Sequence, residues 1–261
     1  MGEILTERSG SILRITLNRP AKKNAMTSSM YVEFAAILND AAKDDDVSVV
    51  LWNGAGDSFS AGNDLEDFLK HPPGPGESPQ AQLANALLNF DKPLIAAVKG
   101  VAIGGGTTLL THCDFVFAGE SAKFQLPFVN LGLVPEFGST WSLPARAGHI
   151  RAAELIMLGL PFDGKVAAEI GLVTRVVPDE QLLATATETA EKLAAKPPAA
   201  LQACKRLMKR SQREQLEEAI RVENEEFASR VRSAEAKEAF TAFLEKRAPD
   251  FKRTKEPVPA R

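Results

Sequence analysis

The chain has 261 residues, 44% hydrophobic and 25% charged, with a formal net charge of −3. That is enough chain for a full hydrophobic core without disulfide or metal staples. The slightly acidic balance speaks against nucleic acid or an anionic membrane as the main partner, and no apolar run approaches the ~18 residues of a membrane span. The N-terminus lacks the basic and apolar regions of a secretory signal and the C-terminus PVPAR carries no familiar address, so a cytoplasmic protein is expected. Cys113 and Cys204 stand far apart and read as inert thiols in a reducing compartment.

In chain order, residues 12–18 (ILRITLN) alternate apolar and polar and stop at Arg19-Pro20, as a half-buried strand does. Thr27 is a good N-cap for a helix over 28–43, where Met30, Phe34, Ile37, Leu38 and Ala41 recur at helical spacing. Short apolar strands follow at 47–52, 94–98 and 115–117. The run HPPGPGESP at 71–79 is too rich in Pro and Gly for regular structure and reads as a surface loop, bordering a pocket or connecting helices. Strand–helix alternation over the first half implies an α/β fold of stacked ββα or βα units with much parallel pairing. From 179 onward helical signals dominate, at 182–195, 199–209, 214–232 and 234–247, and the final KRTKEPVPAR is expected to fray.

Several familiar sites are excluded. Gly104-Gly105-Gly106 is not GxGxxG, because Leu109 stands where the last glycine belongs, and no phosphate-binding P-loop run occurs. Residues 119–123 (GESAK) miss the last glycine of a GxSxG elbow, which leaves Ser121 a cap or turn residue. His71, His112 and His149 lack metal-ligand spacing, and adjacent His112, Cys113 and Asp114 point in different directions.

Two segments carry chemistry. FSAGNDL (59–65) follows one strand, and KGVAIGGG (99–106) follows another and opens a helix. Three consecutive glycines at a strand-to-helix turn either pack tightly or bring uncrowded backbone N–H groups close to a ligand that carries negative charge. Together with PAKKNA (20–25) and the late AFLEKRAPDF (242–251), these segments resemble the crotonase, or enoyl-CoA hydratase/isomerase, family over roughly residues 12–251. They match its P-x-x-x-N-[AS], F-[SA]-[AS]-G-x-D-[LI], G-x-x-x-G-G-G and F-x-E-K-R motifs in order.

The resemblance implies a crotonase-like spiral of stacked ββα units (1–195) with a C-terminal helical region (196–261) for trimerisation and contact with coenzyme A. It implies a homotrimer or a dimer of trimers. It implies an acyl-CoA thioester substrate, with coenzyme A arriving as part of it and no separate cofactor. The N–H groups of Ala61 and Gly105 are expected to form an oxyanion hole for the thioester enolate. Lys22, Asn24, Ala61, Gly62, Asn63, Asp64, Leu65, Gly105 and Phe128 are expected to bind the substrate, and Phe243 and Lys246 to approach its nucleotide end from a neighbouring subunit. Lys246 also reads as part of a solvated charged face.

The departures from the family pattern are informative. The two glutamates with which hydratases handle water are replaced by Thr108 and Phe128, neither of which serves as a general base. One carboxylate remains, Glu136 in LGLVPEFG (131–138), where the chain resembles Δ3,Δ2-enoyl-CoA isomerases of the peroxisomal type. Leu133, Val134, Phe128 and Phe137 are expected to keep it in apolar surroundings that raise its pKa. The expectation is an isomerase with Glu136 as base. The alternatives are another crotonase reaction or a non-catalytic acyl-CoA-binding homologue.

Overall fold

A computed structural model describes residues 2–70 and 78–254. Residues 71–77 of the Pro/Gly run and 255–261 of the tail lie outside the described residues. The first half runs β1 (Ile4–Ser9), β2 (Ile12–Leu17), α1 (Ser28–Lys43), β3 (Val49–Gly54), α2 (Leu65–Lys70), α3 (Pro79–Leu88), β4 (Leu94–Val98), β5 (Val101–Ile103), α4 (Gly105–Thr108), β6 (Phe115–Gly119) and β7 (Lys123–Gln125). There follow α5 (Ser139–Ala147), α6 (His149–Leu158), β8 (Phe162–Asp163), α7 (Gly164–Glu169), β9 (Arg175–Val177), α8 (Leu182–Ala194), α9 (Pro198–Arg210), α10 (Arg213–Arg230) and α11 (Ala234–Leu244).

Among the described residues the strands form two sheets, ordered β1-β2-β3-β4-β6-β9 and β5-β7-β8. The larger sheet is parallel from β2 to β9, as the strand–helix alternation predicts, with one antiparallel hairpin at its β1 edge. Strand β1 was not among the predicted elements. It is exposed apart from Ile4, so its burial pattern carries little signal.

The inner strands are buried on both faces and alternate between two cores. Val50 and Trp52 of β3 point with Ala96 and Val98 of β4 into the main core under α1 and α3, while Val49, Leu51, Ile95 and Ala97 point to a second core covered by Leu182, Ala186, Ala190 and Leu193 of α8. Helix α1 begins where its cap predicts, with Thr27 Oγ1 accepting from Met30 N at 3.3 Å. Ser78 and Pro79, read from sequence as the end of a loop, instead cap and open α3, with Ser78 Oγ accepting from Ala81 N at 3.1 Å. The start of the tail expected to fray forms a 3-10 turn, Phe251–Arg253.

The C-terminal helices share the main core through Ile220, Phe227, Val231, Ala236 and Phe240. They are also pinned by a buried ion pair: Lys205 Nζ of α9 lies 2.6 Å from Asp114 Oδ2 and donates to Lys92 O at 2.8 Å. No described helix is long and apolar enough to cross a membrane.

Candidate active site

The two glycine-bearing segments lie against each other. Phe59 N and Ser60 N donate to Val101 O at 3.1 and 3.0 Å, Ile103 N donates to Ser60 O at 2.9 Å, and Ser60 bridges Ala102 in parallel. The contact is so close that a methyl group added to Gly62, whose φ is +81°, would stand 2.5 Å from Ile103 O and 3.4 Å from Gly105 N. Only glycine tolerates that position.

Counting the N–H groups of this segment identifies the free donors. Ser60 N donates to Val101 O, Ala61 N to Lys23 O at 2.9 Å, Gly62 N to Ser60 Oγ at 3.1 Å, and Asp64 N to Met26 O at 2.8 Å. Among the described residues, the N–H groups of Asn63 and Gly105 have no protein acceptor. The expectation for Ala61 is therefore corrected: its N–H already closes a loop contact to Lys23, and the N–H of residues 59–64 left without an acceptor is that of Asn63. Lys23 and Asn24 turn the chain with φ of +49° and +55°, a geometry the sequence motif does not disclose.

Asn24 and Asp64 are also reassigned. Asn24, fully buried at φ +55°, donates to Ala55 O at 2.9 Å and Ser58 O at 2.7 Å and accepts from Arg19 N at 2.8 Å. Its side chain is saturated by backbone and ties the early motif to the donor segment, leaving nothing for a substrate. Asp64 accepts from Glu66 N and Asp67 N at 3.1 Å each and pairs with Arg19 at 2.9 Å. Burial works to raise its pKa, but the hydrogen bonds from Asp67 N and Arg19 prevail and hold it below the usual carboxylate range. Its carboxylate caps α2.

Glu136 is buried beside the donors. An oxygen of its carboxylate, Oε1, lies 2.8 Å from where a methyl group on Gly105 would stand, and it accepts from Asn63 Nδ2 at 3.3 Å. Asn63 is itself oriented by Gln80 Nε2 at 3.1 Å. Burial first, and then the negative charge of Glu223, push the Glu136 pKa up to about 8, against the opposing Asn63 hydrogen bond. Leu133, Phe128 and Phe137 around it are buried and Val134 is half-buried, matching the expected apolar surroundings.

The loop holding Glu136 is strained and heavily braced. Phe137 has φ +63° and Gly138 φ +71°. The left-handed conformation of Phe137 persists because its neighbours hold it: His112 Nε2 bonds Phe137 O at 2.8 Å, and Ser139 Oγ donates to Glu136 O at 2.7 Å. Glu223, from α10, accepts from Gly138 N at 2.6 Å, Thr140 N at 2.7 Å and Thr140 Oγ1 at 2.5 Å. His112 is structural, as read from sequence; burial depresses its pKa to about 4, so it stays neutral.

The two positions where hydratases carry acids are inert here. Thr108 is fully buried and its hydroxyl bonds back to Gly104 O at 3.4 Å within its own helix. Phe128 is buried, and its ring tip lies 3.9 Å from where a methyl group on Gly104 would stand. Leu65 is half-buried against the main core. Lys22 is exposed and pairs with Glu66 at 3.3 Å, while Phe243 and Lys246 are exposed at the end of α11, apart from this cluster within the single chain. Sequence reasoning passed over Tyr31, Gln80 and Glu223. Tyr31 had a signal, being the chain's one tyrosine on an otherwise apolar helix face; Glu223 stands in a glutamate-rich helix where no spacing marks it.

Backbone donors without a protein acceptor among the described residues, close to a buried carboxylate, are an arrangement that can support carbanion chemistry next to a carbonyl, in which an oxygen becomes negative and a base exchanges a proton with carbon. The comparisons with known proteins specify the carbonyl. The enoyl-CoA hydratase/isomerase family profile matches residues 7–254. The chain is 37% identical to 1,2-epoxyphenylacetyl-CoA isomerase of Escherichia coli K12, over 95% of this chain and 97% of that protein. It is 36% identical to enoyl-CoA delta isomerase 2 of Rattus norvegicus, over 92% of this chain and 63% of that one; relatives of equal identity are named hydratases. The structure of Pseudomonas aeruginosa OdaA superimposes with a TM-score of 0.90 at 46% identity, covering 94% and 99% of the two chains. The chain belongs to the enoyl-CoA hydratase/isomerase, or crotonase, family, and is an enzyme of that family with its fold.

Proposed function

We propose that this enzyme is a Δ3,Δ2-enoyl-CoA isomerase with Glu136 as its single acid–base group. The observation that carries the reading is the solitary buried carboxylate over Gly105, with Thr108 and Phe128 at the positions of the two hydratase acids. The thioester oxygen of a 3-enoyl-CoA accepts hydrogen bonds from the N–H groups of Asn63 and Gly105. Glu136 takes a proton from C2, the electron pair delocalises onto the thioester oxygen and C4, and the same carboxyl returns the proton at C4. The double bond then lies between C2 and C3. A raised carboxyl pKa suits this work, because a base must be strong enough to accept a carbon-bound proton and weak enough to release it.

Lys22 approaches the polyanionic nucleotide, joined by Phe243 and Lys246 from a neighbouring protomer of a homotrimer. The reaction uses no cofactor beyond the coenzyme A of the substrate. The test is a panel of 3-enoyl-CoA and 2-enoyl-CoA thioesters with wild type and Glu136→Gln. Wild type converts 3-enoyl to 2-enoyl thioesters, and Glu136→Gln loses at least about 10²-fold in kcat. Rapid hydration of crotonyl-CoA by the wild type, or acyl-CoA binding without turnover of any thioester, overturns the reading.

A further inference from the structure

Tyr31 sits on the buried face of α1, and its hydroxyl has no hydrogen-bond partner among the described residues. Its ring is fixed by stacking on Phe137, the residue after Glu136, with centroids 6.3 Å apart and planes 23° from parallel. The hydroxyl oxygen lies 3.0 Å from where a methyl group on Gly105 would stand, and Glu136 Oε1 lies 2.8 Å from the same point. A donor residue, the carboxylate and a phenol thus converge on one small volume. A phenylalanine would stack equally well without burying an unpaired hydroxyl, so the oxygen weakens the fold it belongs to. Unpaired buried groups of this kind mark places where a partner arrives during function.

We propose that Tyr31 is a positioning residue for Glu136: its hydroxyl donates to the carboxylate during turnover and holds it as it moves between C2 and C4 of the substrate. The inference rests on the reading of Glu136 as the base. In the resting site the one hydrogen bond to the Glu136 carboxylate among the described residues is the long 3.3 Å bond from Asn63 Nδ2, so it is loosely held and free to take a second donor. The phenol is a donor throughout and never gives up its proton, because burial, and then the charge on Glu136, lift its pKa well above that of a free tyrosine. The other groups facing Glu136 are Asn63 with Gln80 behind it, Glu223 from α10, and neutral His112, which bonds the Phe137 carbonyl. Among these, Asn63 and Tyr31 alone can donate to the carboxylate.

Tyr31→Phe is the test, run beside Glu136→Gln. In Tyr31→Phe, kcat falls about tenfold, KM stays within about twofold, and Tm is equal or higher. Loss of a donor to the charged form moves the rising limb of kcat, which reports the enzyme–substrate complex, to higher pH by roughly one unit. An unmoved limb, with or without a fall in kcat, makes Tyr31 a packing residue and overturns the proposal. Retained isomerisation in Glu136→Gln instead overturns the base assignment, so the two failures are separable. Because the chain holds one tyrosine, uniform replacement by 3-fluorotyrosine labels this hydroxyl alone and leaves the fold intact. Its fluorine resonance titrates with the midpoint of the kcat/KM limb in the otherwise wild-type enzyme, and not in Glu136→Gln. A resonance that does not titrate overturns the proposal.

Discussion

The donor wall, residues 58–64 against 100–106, is held by main-chain hydrogen bonds and a parallel bridge, whereas Glu136 hangs on a loop held by side chains from distant elements. The first wall tolerates changes of side chain and fails when the backbone shifts. The second keeps its backbone only while His112, Ser139 and Glu223 hold it, and it fails with single side chains. On the proposed reading, one wall supplies what any thioester enolate needs, and the other decides what is done with the enolate. A family that keeps the first and varies the second can change reaction without changing fold.

Substitutions at each wall can break this contrast. The largest effect is expected for Asn63→Pro, which removes the unpaired N–H and should cut kcat about 10²–10³-fold, whereas Asn63→Ala keeps that donor and loses less than about tenfold. Steady-state kinetics of the pair, with Tm as a folding control, separate backbone from side chain; equal losses would place the work in the side-chain carboxamide and not in the backbone N–H. Next is Gly105→Ala, whose methyl would stand 2.8 Å from Glu136 Oε1 and push the base aside. A displacement near 1 Å costs about 10²-fold in kcat, and a crystal structure of the variant would show the moved carboxylate.

Glu223→Gln should lower kcat about three- to tenfold by loosening the loop. Removing a like charge also moves the rising limb of kcat/KM to lower pH, opposite to the direction expected for Tyr31→Phe. For stability, the Glu136 pKa is raised from an ordinary 4.5 to about 8 in the folded chain. The folded state then binds the proton more tightly, so its stability is full below pH 4.5 and falls as pH rises towards 8. Glu136→Gln should therefore be more stable than wild type by ~4 kcal/mol at pH 8 and similar to it near pH 4 in urea titrations. The smallest effect is expected at Lys22→Ala, an exposed residue, where KM for acyl-CoA rises about two- to threefold and the rise fades at high salt.

The same contrast explains what could be read from the chain. The inner strands and α1 announce themselves through periodicity, and the donor wall through a glycine triplet that leaves few other uses. Asn63 rather than Ala61 as the donor was not legible, because it depends on where Lys23 O lies after the turn at 20–24. Glu136 was legible through its apolar neighbours and the lost acids at Thr108 and Phe128. Its supports were not: Glu223 stands 85 residues from Gly138, which it braces, in a helix of similar glutamates, and Tyr31 reads as core until its hydroxyl is counted.

The bond from Glu223 to Gly138 has a consequence for the life of the chain. During synthesis the donor wall can assemble while α10 is still within the ribosome, since its main-chain hydrogen bonds all run to residues before 130. The loop carrying the base stays unbraced until α10 emerges and docks. On the proposed reading, a chain lacking α10 holds a thioester without the means to move its proton, so competence is the last property the molecule acquires.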